Sequence, residues 1–287
     1  MNTFARLTRF SATAAVLALA VAACDDDPTD PVGPIDVSIP FAAAVNGAPF
    51  ACGQTYAAVG TSNTTITPVD FRLYVHDVTL LQADGTERPV TLTDDGVWQR
   101  DGLALLDFED GSGPCVNGTS ATRAVVEGSV EAGNYTGIRF TLGVPETMNH
   151  ADQTTAAAPL DLTGLFWSWN AGYKFARIDH TSAEQPEGWF VHLGSTGCEP
   201  TGDPTTPATS CANTHRPTIT LTGFDLDSEE IVADYGALLA GADLTQNEGA
   251  KGCMSFPGDP QCPAVMNAFG LDYEGSVSTG QSFFSIR

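Results

Sequence analysis

The sequence predicts an all-β protein, an antiparallel β-sandwich or distorted barrel with long disulfide-braced loops and few short helices. Three observations carry that expectation. Seven segments alternate in polarity or are rich in β-branched and aromatic residues, namely 37–45, 70–81, 124–130, 137–142, 173–178, 189–194 and 217–226. Turn residues stand between them at Asp84-Gly85, Asp95-Gly96, Asn117-Gly118 and Ala132-Gly133-Asn134, the chemistry that joins antiparallel strands. Helical periodicity is confined to two short candidates, 234–240 and 263–269. No period of 20–50 residues repeats, which argues against a solenoid or propeller.

The first 23 residues read as an export signal. Arg6 and Arg9 precede an apolar run from Ala14 to Ala23 that is too short to span a bilayer. The run closes on Val21-Ala22-Ala23-Cys24, which resembles a bacterial lipobox, so Cys24 is the expected lipidation site. Residues 24–34 carry repeated acids, Pro and Gly without apolar periodicity and are expected to form a solvated tether. Residues 35–287 are then a single β-rich domain, large enough to bury a full core. The expected location is the periplasm or the cell surface, with the membrane reached through the lipid alone.

Of the seven cysteines, six remain once Cys24 is set aside. An even number in an exported chain points to disulfides. Cys198 with Cys211, and Cys253 with Cys262, each bracket a short loop rich in turn residues, and Cys52 with Cys115 follows by elimination. No Cys-x-x-Cys occurs to suggest thiolate metal binding. The formal charge of -23 makes nucleic acid an unsuitable partner, because a phosphate backbone would be repelled; a basic protein or a metal cation fits better.

The segment FWSWNAGYKFARIDH, residues 166–180, crowds two tryptophans onto one face of an extended stretch. With DFRLYVHDVTL, LLDFEDGSGPC, YTGIRFTLGVPETMNHAD, VHLGSTGC and the closing GCMS…C, it forms a signature that resembles the MbnP-like proteins, the four-Cys members of the metallo-mystery pair system. The resemblance runs over nearly the whole mature chain, to Leu271. It implies an exported copper-binding protein that is the substrate of a di-haem cytochrome c peroxidase/MauG-like partner, which oxidises a tryptophan to kynurenine. Related copper proteins hold the metal through the kynurenine amine and two histidine nitrogens. Imidazole suits copper, which stands high in the divalent affinity order.

Within that expectation His150 and His192 lie where the family pattern has histidine and are the first candidate ligands. His76 is a third, placed with Tyr74 on the face of its strand opposite Leu73 and Val75. His180 and His215 are expected at the surface. Trp167 and Trp169 are the candidates for oxidation. The chain departs from the related copper proteins in having no Trp-x-His; Trp189 stands three before His192, which on a strand sets the two side chains on opposite faces.

Two other classes are weighed against copper. Asp107, Glu109 and Asp110, with Asp94, Asp95 and Asp101, would supply oxygen ligands to calcium in a surface adhesion or carbohydrate-binding sandwich, although the spacing is not that of an EF-hand. Asp70 and Asp107 would alternatively cap turns or pair with Arg72 and Arg177. A hydrolase using His192 and Ser195 lacks Gly-x-Ser-x-Gly, and no phosphate-binding or dinucleotide pattern occurs, so the expectation is a binding protein and not an enzyme.

Overall fold

The main strands are β1 (Pro34–Val45), β2 (Thr64–Gln82), β3 (Leu103–Asp107), β4 (Val125–Glu131), β5 (Tyr135–Leu142), β6 (Ala176–Ser182), β7 (Trp189–Leu193), β8 (Thr218–Thr222), β9 (Ile231–Asp234) and β10 (Phe284–Ile286), of which β3, β9 and β10 lie outside the segments that the sequence marks as strands. The computed structural model describes Met1 and residues 33–168, 171–199 and 207–287. Cys24, the expected leader, most of the tether and Trp169 lie outside the described residues. Contacts gather the described residues from 33 to 287 into one compact unit.

The larger sheet runs β8-β5-β2-β6-β7, with β3 also paired to β2 and the short strand Gly252–Cys253 beyond β7. The smaller runs β10-β9-β1-β4 and ends on Thr91–Leu92. Pairing is mostly antiparallel, but β1 meets β9, and β7 meets Gly252–Cys253, in parallel. The turn at Ala132-Gly133-Asn134 does not close a hairpin ladder. It passes the chain from β4 in one sheet to β5 in the other. Edge-on aromatic contacts close the core between the sheets, with Phe41 of β1 on Phe140 of β5 at 5.6 Å and Phe140 on Phe284 of β10 at 5.1 Å.

Strand β2 is 19 residues long, and residues 70–76 are buried on both faces. Its inner face packs Phe71 and Leu73 into the core, and its outer face bears Asp70, Arg72, Tyr74 and His76. A covering segment crosses that outer face. The Tyr74 hydroxyl donates to the Pro159 carbonyl at 2.7 Å and the Tyr173 hydroxyl to that of Leu160 at 2.6 Å, fastening the segment down.

Among the described residues the two α-helices are short. In α1 (Tyr235–Leu239) the Asp234 carboxylate accepts the Gly236 and Ala237 amides, and α2 (Cys262–Ala268) begins with Pro263 in its first turn. All three disulfides pair as expected, Cys52–Cys115, Cys198–Cys211 and Cys253–Cys262. Among the described residues no helix is long and apolar enough to cross a membrane.

Candidate metal centre

Sheet register assembles a charged row on the covered face. Asp107 of β3 pairs with Arg72 of β2, Arg72 with Arg177 of β6, and Arg177 with His192 of β7. Beside it runs a second row, Asp70, Asp179 and Phe190. Ionised groups are costly to bury unless paired and hydrogen-bonded. Here each has a partner. Arg72 Nε donates to Asp70 Oδ1 at 2.8 Å, Arg177 Nε lies 3.0 Å from Asp70 Oδ2, and the same Nε donates to Asp179 Oδ2 at 2.8 Å. The expected pairing of Asp70 with Arg72 and Arg177 is therefore present.

The electrostatics follow from burial and these contacts. Burial pushes the Asp107 carboxyl up to about 7 despite Arg72 beside it. Burial also raises Asp70 against the opposing pull of Arg72. At Asp179 burial acts in the same upward direction, but His192 and Arg177 outweigh it and hold the carboxyl below its ordinary range. Lys174, whose ammonium donates to the Gly164 carbonyl at 2.8 Å, is lowered to about 8 by burial.

At the end of the row His192 Nε2 stands 3.0 Å from Asp179 Oδ1. Its Nδ1 is buried and has no hydrogen-bond partner. The imidazole stacks on Phe190, with centroids 5.5 Å apart and planes at 3°. The Trp167 ring is 6.4 Å away.

Trp167 belongs to a two-stranded ribbon, Phe166–Ser168 against Gly172–Tyr173. Sequence periodicity put residues 173–178 in one strand; the structure ends the ribbon at Tyr173 and starts β6 at Ala176, so the aromatic segment folds back over the sheet. Gly172, at φ +71°, lets the turn close where a Cβ would meet the Asn149 carbonyl at 2.5 Å. The Asn149 side chain in turn accepts the Tyr173 amide at 3.0 Å. Gly194 then leaves room for the indole: a Cβ there would lie 2.5 Å from Trp167 Cζ3.

The other histidines separate. His150 is buried; Asn149 Nδ2 donates to its Nε2 at 3.2 Å, and the same nitrogen lies 3.3 Å from Cys211 Sγ of a disulfide. It thus reaches the tryptophan ribbon through Asn149. His76 does face with Tyr74 as expected, and its Nδ1 is 2.8 Å from the Gly143 carbonyl, with burial lowering its pKa.

Two expectations of surface exposure are corrected. His180 is fully buried: a register shift between Asp179 and His180 turns it inward, where it stacks on Trp189 at 5.7 Å and meets the Tyr235 hydroxyl at 2.7 Å. Burial lowers it to about 3. His215 is half-buried and donates from Nδ1 to the Gly194 carbonyl at 2.9 Å, so it borders the same residue that seats Trp167. Burial lowers its pKa too.

Sequence reasoning passed over Asp179, Gly194, Ser255 and Phe256. The alternation Arg177, Asp179 on one strand face carried a signal for the first; nothing local marked the others. Ser255, at φ 64°, donates from Oγ to the His192 carbonyl at 2.9 Å and accepts the Gly194 amide at 3.3 Å. Phe256 lies on Trp167 at 5.5 Å and is 46% exposed. Both sit in the loop closed by Cys253–Cys262.

The carboxylates considered for calcium are dispersed. Asp95 Oδ1 accepts the Val97, Trp98 and Gln99 amides, Asp94 that of Asp101, and Asp110 that of Ser112, while Asp107 and Glu109 join the buried charges around Arg72. Among the described residues the groups of three potential ligands are His150/Cys198/Cys211 and Cys52/Glu109/Cys115, each containing a disulfide. Disulfide sulfur lacks the thiolate charge that binds metals. Ser195 donates to the Thr214 carbonyl.

Fold and site together define a disulfide-braced β protein built on two main sheets, in which a carboxylate-held histidine and a tryptophan share one covered face. The chain belongs to the MbnP family, whose model matches residues 34–255. Among solved structures it is similar to MbnP from Methylosinus trichosporium, at 30% sequence identity and a TM-score of 0.78 over 89% of this chain and 99% of that one. No curated protein matches it.

Proposed function

We propose that this chain is an exported, lipid-tethered copper-handling protein whose Trp167 is oxidised to kynurenine by a di-haem peroxidase-like partner. The observation that carries the reading is Trp167 beside His192, whose Nδ1 is buried without a partner. Such a nitrogen fits a metal ligand, since an unpaired buried acceptor is otherwise a cost. Copper would be held by His192, by the new aryl amine and by a second imidazole from His150 or His215; His76 is the more distant candidate along β2.

The oxidation balances as follows. Two equivalents of peroxide, acting through haem iron, cleave the indole C2–C3 bond and insert two oxygen atoms while two waters leave. Hydrolysis then releases the formyl carbon as formate, and the aryl amine remains. Family membership supports the reading, as does the partial exposure of the Trp167 and Phe256 pair toward an incoming oxidant. Trp169 is the alternative residue for this step.

Mass spectrometry of the peptide carrying Trp167 and Trp169, from protein co-produced with a di-haem partner, should show the tryptophan-to-kynurenine increment, with fragmentation placing it on Trp167. No increment rejects the substrate role. Copper titration of His192→Ala against the unsubstituted protein should show loss of the tight site. Equal stoichiometry removes His192 from it.

A further inference from the structure

Deepening that reading, on which it rests, we propose that Asp179 is a positioning residue that fixes the His192 tautomer, so that Nδ1 and not Nε2 is the nitrogen offered to the metal. An ionised carboxylate only accepts, so the 3.0 Å contact of Asp179 Oδ1 with His192 Nε2 requires the proton on Nε2. In the neutral ring the lone pair is then on Nδ1, the atom that lies buried without a partner.

Asp179 is itself held in place. Its second oxygen, Oδ2, accepts from Arg177 Nε at 2.8 Å, and Arg177 is braced by Asp70, which accepts from Arg72 at 2.8 Å. The carboxylate thus serves one arginine through Oδ2 and one imidazole chiefly through Oδ1, with His192 Nε2 also 3.4 Å from Oδ2. An outer carboxylate of this kind orients a ligand histidine and raises its basicity, typically worth 10–100-fold in metal affinity.

Asp179→Asn tests the inference sharply because it keeps the shape and changes the donor pattern. Arg177 still demands an acceptor, so the amide turns its oxygen to Arg177 and its NH2 to His192 Nε2, which drives the proton to Nδ1. Ring nitrogen–proton correlation spectra of the metal-free protein, at a pH high enough to leave the ring neutral, should show His192 protonated on Nε2 in the unsubstituted protein and on Nδ1 in Asp179→Asn. Copper affinity should fall about 10–100-fold in the variant.

A proton on Nδ1 in the unsubstituted protein overturns the inference, and that measurement needs no variant to fold. Unchanged copper affinity in Asp179→Asn, with affinity lost in His192→Ala, also overturns it and leaves the copper reading standing. Equal copper binding by His192→Ala and the unsubstituted protein instead overturns the reading on which the inference rests.

Discussion

Trp167 rests on the bare Cα of Gly194, just past the end of β7 and two residues on from His192. Any side chain at 194 collides with the indole, since even a Cβ would stand 2.5 Å from Cζ3 and 2.9 Å from Cη2. Gly194→Ala should therefore displace Trp167 at a stability cost of about 1–3 kcal/mol, the usual range for overpacking. Urea midpoints measure the cost, and the yield of kynurenine in co-production measures the displacement. A variant with unchanged stability and yield would show that the indole does not depend on this seat.

Ser255 ties the neighbouring loop to the same strand. Its hydroxyl serves the His192 carbonyl and the Gly194 amide, so Ser255→Ala strips partners from two buried backbone groups. A loss of about 1–3 kcal/mol is expected for each group left unsatisfied. Ser255→Gly relieves the left-handed φ of 64° but loses the same bonds, and should fall between the alanine variant and the unsubstituted protein. Chemical denaturation of the three proteins orders them.

The disulfides should differ in weight. Cys52–Cys115 closes a separation of 63 residues, against 13 for Cys198–Cys211 and 9 for Cys253–Cys262. Chain-entropy reasoning gives about 4 kcal/mol for the long loop and about 3 kcal/mol for either short one. Replacing each pair by alanine should lower the denaturation midpoint most for Cys52/Cys115. The Cys253/Cys262 pair should instead have the larger effect on copper binding, because its loop carries Ser255 and Phe256.

Asp107 supplies a pH signature. Its folded pKa of about 7 lies above the ordinary 3.8, so the folded chain holds more protons than the unfolded one between roughly pH 4 and 7. The stability contributed by this carboxyl is present at low pH and is lost as pH rises through that window. Asp107→Asn stays neutral throughout, so its stability relative to the unsubstituted protein should rise from pH 4 to pH 8. A difference that is flat with pH would show that Asp107 is ionised normally.

Much of the sheet was legible because period-two patterning reports burial on one face. It failed where both faces are covered or where a bulge reverses the alternation. The run 70–76 reads as uniformly strand-like, yet the buried charges on it are invisible until Arg72, Arg177 and His192 are brought into one row by register. His180 was misplaced for the second reason, the shift beside Asp179. The pairing of Trp167 with His192 was not readable either, since residues 25 positions apart meet only after the ribbon folds over β7. What local sequence did carry was chemical identity: the aromatic block, the histidines at 150 and 192, and all three disulfide pairings.

His192, Asp179 and Arg177 all stand on hydrogen-bonded strands, so under the proposed function the His192 imidazole would already be oriented before any ion arrives. Capture of a cation should then require little rearrangement of the chain, in contrast to small zinc modules that order only around their metal. Under the proposed function the protein would in this respect be a rigid receptacle, loading and unloading cargo without melting, and its resistance to proteolysis should be nearly the same empty and full.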